Sequence, residues 1–231
     1  MSTPIDHFVA PVCHQDIEIL FQDEHLLVMN KPSGLLSLSG KNPLNKDSVH
    51  HRLVQQFPTA HMVHRLDLGT SGLMVLALNK SVNGHLTKQF QQRTVKKIYT
   101  AVLYGRIEDE QGCIDIPIIK DKLNFPYQKV CEETGKVALS QYEVVGHENG
   151  NGEAPPSSRV LFSPQTGRTH QLRIHAREIG HPILGCDLYG ATIAGVTTQS
   201  MAERLLLHAT RLEFVHPVSG ETMLMESTCP F

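Results

Sequence analysis

The residues whose types could do chemistry begin with an aspartate that precedes a glycine-rich turn. The sequence HRLD at residues 64–67 is followed by GTSG at residues 69–72. In an extended chain, alternation would place Arg65 and Asp67 on the same side, and the glycines would let a substrate approach the backbone. A carboxylate at such a turn can act as a nucleophile or a general base. By itself, the pattern is more typical of a turn residue that binds its own backbone.

A second group of charged and titratable residues occupies positions 166–175, with the sequence TGRTHQLRIH. It places Arg168, Arg173 and two histidines near the start of a predicted helix, where exposed N–H groups and the helix dipole favour anions. A buried aspartate needs a cationic partner to stay ionised, and an arginine such as Arg168 keeps its charge almost anywhere. A helix with a solvated basic face explains the same residues equally well.

Two lysines and a tyrosine form the third group, because Lys96 and Lys97 come just before Tyr99 in a strand-like segment. Lysines bind phosphates and aromatic rings stack on unpaired bases, so the group suits a nucleic-acid surface. The alternative is that Tyr99 belongs to the apolar core.

The charge distribution also favours RNA, although the net charge of the chain is only −2. Residues 68–107 contain six lysines and arginines and no acidic residue, and residues 154–177 contain four arginines and no acidic residue. Such segregation can give phosphates a basic surface on a nearly neutral protein. The alternative is that these charges scatter over unrelated surfaces of the folded chain.

Neither metal nor cofactor binding is indicated by the histidines and cysteines. The histidine pairs at positions 61/64 and 170/175 lack the i,i+4 spacing of a helical zinc motif, and no acidic ligand accompanies them. The five cysteines include no CxxC pair, which argues against a disulfide framework or a zinc site. We therefore predict metal-independent chemistry without a cofactor. A metal-dependent hydrolase that uses Asp67 is the alternative.

The elements that must position these groups alternate between short strands and a few helices. We predict a strand pair over 17–30 and further strands at 73–78, 98–104, 137–145, 159–162, 205–215 and 223–226. We predict helices over 48–57, from residue 80 and over 169–179, and a mobile hairpin loop at 147–158. After a loose leader at 1–16, this gives one α+β domain over 17–231 with a mixed, mostly antiparallel sheet. Neither a long apolar run nor a signal-peptide pattern is present, which predicts a cytoplasmic protein without a membrane partner.

The ordered set of these motifs resembles the RluA-type pseudouridine synthases. The shared segments are NKPSG at 30–34, HRLD with its GTSG extension, KIY at 97–99, GRTHQLRIH at 167–175, HPILG at 181–185 and LLLHA at 205–209. The resemblance implies the pseudouridine synthase fold and an isomerase that converts uridine to pseudouridine in RNA without a cofactor. A catalytically inactive RNA-binding module on the same fold is the alternative.

The resemblance also implies a role for each site residue. Asp67 would be the essential carboxylate, Arg168 its ion-pair partner, and Tyr99 the ring that stacks on the flipped base and takes part in proton transfer. Leu172 would pack against the pocket, and Arg65 would fill the gap left in the RNA. The other residues predicted to contact RNA are His64, Lys96, Lys97 and Arg173.

Within this family, the chain is most similar to the subgroup that modifies a uridine in a tRNA anticodon stem-loop and one in a 23S rRNA hairpin. The segments QKVC at 128–131 and TGK at 134–136 support this similarity. The pattern begins too early to leave room for an N-terminal RNA-binding module of the S4 type, so we expect none. No partner-binding segment is evident, and we expect a monomer.

Overall fold

A computed structural model describes residues 8–150, 155–193 and 195–231. Its chain divides into two compact units. The first unit contains the residues up to Val95 together with Glu213–Ser227, and the second contains Lys96–Leu212 and Thr228–Phe231. Both units bury apolar side chains among their strands and helices.

The described residues form three α-helices and fourteen strands. The helices are α1 (Val49–Leu53), α2 (Lys80–Gln91) and α3 (Gln171–Glu178). The strands are β1 (Glu18–Gln22), β2 (Leu26–Lys31), β3 (His61–Met62), β4 (Ser71–Ala77), β5 (Lys96–Tyr104), β6 (Gln111–Asp115), β7 (Ile118–Lys120), β8 (Gln128–Val130), β9 (Leu139–Glu148), β10 (Ser157–Pro164), β11 (Thr192–Ile193), β12 (Val196–Thr197), β13 (Leu207–Val215) and β14 (Thr222–Glu226). In the part of the chain that the structure describes, no helix has the length and apolar character needed to cross a membrane.

The first unit is organised around two antiparallel strands, β2 and β4. Their register places Lys31, the last residue of β2, opposite Gly72 near the start of β4. β1 pairs with β2, and β3 pairs with the C-terminal end of β4. Every residue of β4 is buried, and α2 adds the buried side chains of Val82 and Leu86 to the unit. The central strand therefore provides a fixed base for the loop that precedes it.

In the second unit the strands follow the order β13-β5-β10-β9-β6. β10 pairs antiparallel with β5 and β9, which places Phe162 opposite Tyr99 on one side and Tyr142 on the other. α3 contributes Leu172 and Ile174 to the apolar core of the unit. β7 and β8 form a separate two-stranded hairpin. The helix α3, which follows β10, and the strand β5, which carries Tyr99, therefore pack against the same apolar core.

Most of the predicted elements are confirmed, including the α+β fold with its mostly antiparallel sheet. α2 begins directly after Asn79, whose side chain accepts a hydrogen bond from the N–H of Val82 (2.9 Å). α1 begins after Ser48 as predicted but ends four residues early. There the carbonyl of Leu53 accepts hydrogen bonds from Gln56 (3.1 Å) and Phe57 (2.8 Å), and the chain closes in a tighter turn.

The strands that the sequence does not predict are short. β3, β6, β7, β8, β11 and β12 have two to five residues each, too few for an alternating apolar pattern to be visible. For the predicted hairpin loop at 147–158, Ser157 pairs with Glu148, which confirms the hairpin. Residues 151–154 of this loop lie outside the described residues.

Residues 8–16 of the predicted leader have no regular secondary structure, yet they are bound to the first unit. The N–H of Ala10 donates to Oδ1 of Asn45 (2.8 Å), and Nδ2 of Asn45 donates to the carbonyl of Phe8 (2.8 Å). Arg52 donates to the carbonyl of Cys13. This part of the leader is therefore held in place, contrary to the prediction, because later side chains satisfy its backbone. Residues 1–7 lie outside the described residues.

Candidate active site

The HRLD sequence lies in the loop between β3 and β4 of the first unit. Leu66 is buried, whereas Arg65 before it is exposed and Asp67 after it is half-buried. This is the alternation that an extended chain produces. The carbonyl of Asp67 accepts a hydrogen bond from the N–H of Thr70 (3.2 Å). Asp67 therefore stands at the first position of a turn that leads into β4, and we call residues 63–70 the Asp67 loop.

His64 fixes the start of the Asp67 loop. Its Nε2 accepts a hydrogen bond from the N–H of Val75 in β4 (3.1 Å). The next residue of β4, Leu76, pairs with Met62 of β3. The imidazole also stacks on Phe90, with ring centroids 4.6 Å apart. A ring nitrogen that accepts an N–H carries no proton, so in this arrangement His64 is neutral. This geometry gives His64 a role in positioning the Asp67 loop, and its contact with RNA stays a prediction.

Lys31 is a residue of the NKPSG segment for which no role is predicted from the sequence, and it supports the Asp67 loop. Its side chain is fully buried, and its ammonium donates hydrogen bonds to the carbonyls of Pro32 (2.9 Å), Leu35 (2.7 Å) and Leu68 (3.2 Å). A buried ammonium is tolerated only where such acceptors replace water. The bond to Leu68 fixes the residue that follows Asp67 and places a buried positive charge against the backbone of the loop.

Residues 31–37 together form a clamp segment around the Asp67 loop. Besides the bond from Lys31, Ser33 Oγ donates to the carbonyl of Gly69 (2.7 Å), and the N–H of Gly34 donates to the carbonyl of Leu68 (2.9 Å). The hydroxyl of Ser37 bonds Leu66 twice: it donates to the carbonyl (2.7 Å) and accepts from the N–H (3.1 Å). Gly34 has a φ of +81°, a conformation that side-chain-bearing residues rarely adopt. The residues on both sides of Asp67 are thus held by side chains and backbone from one short segment.

The other two predicted catalytic residues, Tyr99 and Arg168, belong to the second unit. Tyr99 is a half-buried residue of β5 that packs against the apolar core of this unit. Lys96 and Lys97 open the same strand, the first exposed and the second half-buried. Since strand side chains alternate, Lys97 lies on the same face as Tyr99 and Lys96 on the opposite one.

Arg168 lies in the turn between β10 and α3, and Gln171 organises this turn. Oε1 of Gln171 accepts hydrogen bonds from the N–H of Arg168 (2.9 Å) and the hydroxyl of Thr166 (2.7 Å), while its Nε2 donates to Oγ of Ser140 (2.9 Å). Nε of Arg168 donates to the carbonyl of Val137 (2.9 Å). These bonds fix both the backbone and the stem of a half-buried arginine, and we call residues 166–170 the Arg168 turn.

Burial contradicts the predicted RNA contact of Arg173. Its side chain is 4% exposed and forms an ion pair with Asp187. Its Nε donates to Sγ of Cys186 (3.3 Å), and its guanidinium lies 5.3 Å from the centroid of the Tyr189 ring. The neighbouring Leu172 is also buried and belongs to the core of the second unit. Arg173 therefore stabilises α3 from within, and only its non-local partner Asp187 could have indicated this.

His175 is buried on α3 and also has a structural role. Its Nδ1 lies 3.0 Å from the hydroxyl of Ser140, and its Nε2 lies 3.2 Å from the carbonyl of Ile116. Loss of hydration lowers the pKa of His175 below its ordinary value. With Nε2 facing a carbonyl, the proton of the neutral ring resides there. Among the described residues, no group of three or more His, Cys, Asp or Glu side chains is arranged to hold a metal ion.

Comparison with known proteins gives one family. A sequence profile for RNA pseudouridylate synthase matches residues 25–178. The chain is 46% identical over 213 residues to the dual-specificity RNA pseudouridine synthase RluA of Yersinia pestis, covering 92% of this chain and 99% of that protein. The protein of the same name from Escherichia coli K12 is also 46% identical over 213 residues, covering 92% and 93%. The structure of human RNA pseudouridylate synthase domain containing 1 matches with a TM-score of 0.77 at 30% identity, covering 96% of this chain and 86% of that one.

Proposed function

Because this chain belongs to the RluA-type pseudouridine synthases, it is an RNA-modifying isomerase, and we propose that it acts on two different RNAs. The proposed targets are a uridine in a tRNA anticodon stem-loop and a uridine in a 23S rRNA hairpin. Two relatives at 46% identity are named dual-specificity synthases, which supports two target RNAs. The choice of these two hairpins rests on the resemblance of the motifs to the dual-specificity subgroup.

The two compact units form one catalytic domain in this proposal. The matched family profile covers residues 25–178, which include most of the first unit and more than half of the second. The Yersinia pestis relative aligns over 92% of the chain at nearly its full length. A single evolutionary unit of that length supports one catalytic domain over residues 17–231, rather than two independent activities.

Asp67 is the proposed essential carboxylate, and the observation that carries this assignment is its place in a loop held by the clamp segment. Asp67 attacks the ribose or the base of the target uridine, and the bond that it forms is broken again before the product leaves. The bond between N1 and C1′ breaks, the uracil turns, and a new bond joins C5 to C1′. The proton lost from C5 is balanced by one gained at N1, so the reaction is an isomerisation. It requires no net oxidation and no group donor.

Arg168 and Tyr99 complete the proposed site. Arg168 keeps its charge almost anywhere, and we assign it as the ion-pair partner that keeps Asp67 ionised in a water-poor pocket. Tyr99 stacks on the uracil once the base has left the RNA stack, and its hydroxyl takes part in proton transfer. Leu172 packs behind the pocket. Gln171 supports this assignment because it holds the turn on which Arg168 lies.

For the RNA contacts we retain His64, Arg65, Lys96 and Lys97. Arg65 is exposed next to Asp67, which suits a side chain that enters the space vacated by a flipped base. Lys96 and Lys97 contact the phosphates, which dominate the affinity of RNA-binding proteins. His64 also holds the Asp67 loop. We also propose that the protein acts as a monomer in the cytoplasm, which sedimentation and cell fractionation would test.

The experiment that tests the two targets uses purified protein and two synthetic RNAs, the anticodon stem-loop and the 23S rRNA hairpin. Pseudouridine is mapped after each reaction by chemical labelling and primer extension. A matched control for each RNA closes its loop into a continuous duplex of the same stem sequence. We expect modification in both hairpins and none in the duplexes. Modification of one hairpin alone, or of neither, would contradict the dual specificity.

A further inference from the structure

The loop between β7 and β8 exposes three large apolar side chains in the second unit. Leu123 is 91% exposed, Phe125 62% and Tyr127 37%. Single exposed apolar residues are common on protein surfaces, but a group on one loop often marks an interaction site. None of these side chains is needed for the proposed chemistry. We call residues 120–127 the hairpin tip.

The apolar group is accompanied by positive charge. Lys120, Lys122 and Lys129 are exposed, and the hairpin of residues 118–130 contains one acidic residue, Asp121. The carboxylate of Asp121 has a structural role in the turn. Because the Asn124 side chain donates to it (2.8 Å), the pKa of Asp121 is lowered. The excess of lysine over acid on this hairpin is complementary to a polyanion.

The ring of Phe125 is held so that a large part of it faces solvent. Nζ of Lys120 lies 5.5 Å from the centroid of the ring, in a cation–π contact. More than half of the Phe125 surface nevertheless stays exposed. Unpaired bases stack readily on such rings regardless of their identity. A lysine at the same ring can bind the phosphate of the stacked nucleotide, as in many single-strand binding surfaces.

The hairpin is also anchored close to the Arg168 turn within the second unit. The hydroxyl of Tyr189 accepts a hydrogen bond from the N–H of Gln128 (2.8 Å) and lies 2.7 Å from Nδ1 of His170. Tyr127 contacts Tyr189 edge-on, with centroids 5.7 Å apart. One buried tyrosine therefore joins the base of the hairpin to the residue that precedes α3, two positions from Arg168. A nucleotide bound at the hairpin tip would lie on the same unit as that arginine.

We propose that the hairpin tip is an RNA-binding element that stacks an unpaired base on Phe125, packs it against Leu123 and binds the neighbouring phosphates through Lys120 and Lys122. The proposal rests on the proposed function only in taking RNA as the substrate. It adds a contact outside the catalytic residues and predicts a preference for single-stranded or loop RNA over duplex. A protein partner would be favoured by the apolar group alone, but the surrounding lysines favour RNA.

The test uses a fluorescein-labelled oligouridine of 12 nucleotides and fluorescence anisotropy over a series of KCl concentrations. Loss of a stacked base by alanine substitution weakens binding about fivefold or more. We expect this loss for the double variant that combines Phe125→Ala with Leu123→Ala. The single variant Phe125→Trp, which keeps an aromatic ring, should bind oligouridine as the wild type does. Lys122→Ala should lower the slope of log Kd against log salt by about 0.7, the value for one single-strand phosphate contact.

Matched controls come from the first unit, where Leu44 is 73% exposed and Lys41 is exposed. Leu44→Ala and Lys41→Ala should leave the oligouridine affinity and its salt slope unchanged. Circular dichroism melting of every variant shows that the chain is folded. Binding within about twofold of the wild type for the folded double variant would overturn the proposal, since stacking is expected to contribute more than that.

Two further outcomes are distinguishable. If sedimentation shows that the wild type self-associates and the double variant does not, while oligouridine binding is unchanged, the tip is a protein contact and the RNA proposal is wrong. If the wild type leaves both substrate hairpins unmodified but the double variant still loses oligouridine binding, the proposed substrates fail and the hairpin tip stands. The two proposals therefore do not depend on the same result.

Discussion

Two loops carry two of the three proposed catalytic side chains, Asp67 and Arg168, and the loops are held by different chemistry. The Asp67 loop of the first unit is held by the buried ammonium of Lys31, with help from two serine hydroxyls. The Arg168 turn of the second unit is held by the neutral amide of Gln171. In both places a side chain satisfies backbone groups that no strand or helix could satisfy.

The difference corresponds to the charge that each loop presents. A buried cation suits the loop that carries a carboxylate, whereas a second cation beside Arg168 would repel its guanidinium. An amide both donates and accepts, so Gln171 can organise its turn without adding charge. Hydrogen bonds from charged groups contribute about 1.5–3 kcal/mol and neutral ones about 0.5–1.5 kcal/mol. The Asp67 loop should therefore be the more sensitive of the two to loss of its support.

Replacing Lys31 with methionine tests the charged support and should have the largest effect on stability. The change keeps the apolar stem but removes the ammonium from the carbonyls of Pro32 and Leu35, while the carbonyl of Leu68 keeps its hydrogen bond from the N–H of Gly34. We expect the free energy of unfolding to fall by about 3–5 kcal/mol, since each unsatisfied buried carbonyl costs about 1–3 kcal/mol. Urea unfolding measures this loss. Single-turnover kinetics should show a lower rate with little change in RNA affinity.

The control for this variant is Lys41→Met, which changes an exposed lysine of the same unit. Its stability should stay within about 0.5 kcal/mol of the wild type. If the Lys31 and Lys41 variants proved equally stable and equally active, the clamp segment would not hold the Asp67 loop.

Gln171→Leu tests the neutral support and should have a smaller effect. The leucine removes the bonds to Thr166, Arg168 and Ser140 at similar volume. We expect a loss of about 2 kcal/mol in the free energy of unfolding, together with a reduced single-turnover rate. The exposed Gln55→Leu serves as the control. A loss as large as that of Lys31→Met would break the proposed distinction between charged and neutral supports.

Acid should destabilise the packing of α3, the helix that follows the Arg168 turn. Since burial lowers the pKa of His175 below 6.5, the native state binds fewer protons than the unfolded chain at acid pH. The stability from neutral His175 is complete above pH 6.5 and is lost as the pH falls below it, by at most about 1.4 kcal/mol per pH unit. Melting curves at pH 7.5 and 5.5 measure this.

The control is His175→Asn, which should show a smaller loss of melting temperature between the two pH values than the wild type. An equal loss in both proteins would assign the acid sensitivity to other groups. The variant itself is expected to be less stable at pH 7.5, because the bonds to Ser140 and Ile116 are altered.

The smallest effect is expected at the surface, where Lys96→Ala combined with Lys97→Ala should weaken RNA binding without affecting either support. Each lost phosphate contact lowers the salt slope by about 0.7 for single-stranded RNA, so a reduction of about 1.4 is expected. Anisotropy titrations with the anticodon stem-loop at several KCl concentrations measure the slope. An unchanged slope would show that these lysines do not form part of the RNA footprint.

Much of the fold could be predicted from the sequence because its signals are local. The apolar run of β4 and the cap of α2 at Asn79 are visible within a few residues. The site was predictable only in part. The resemblance of the ordered motifs predicts Asp67, Tyr99 and Arg168 as a set, and the structure places Asp67 in the first unit and the other two in the second.

The contact between Lys31 and the Asp67 loop could not be predicted, because its two partners are distant in sequence. Lys31 binds the carbonyl of Leu68, 37 residues away. Arg173 looked like an RNA-binding arginine because the local sequence does not reveal its ion pair with Asp187. A lysine at the end of an apolar strand, as in LLVMNK, is the signal that could have indicated a buried charge.

The central claim is that Asp67 supplies the carboxylate for pseudouridine formation. The most direct measurement compares Asp67→Asn with the wild type on RNA from cells that lack this protein, mapping pseudouridine and measuring RNA affinity on the same samples. Asp109→Asn, which changes an exposed aspartate, is the control. We predict that Asp67→Asn loses activity by about a thousandfold or more while RNA affinity is retained, since the phosphate contacts remain. Pseudouridine formation at the wild-type rate by Asp67→Asn would contradict the account.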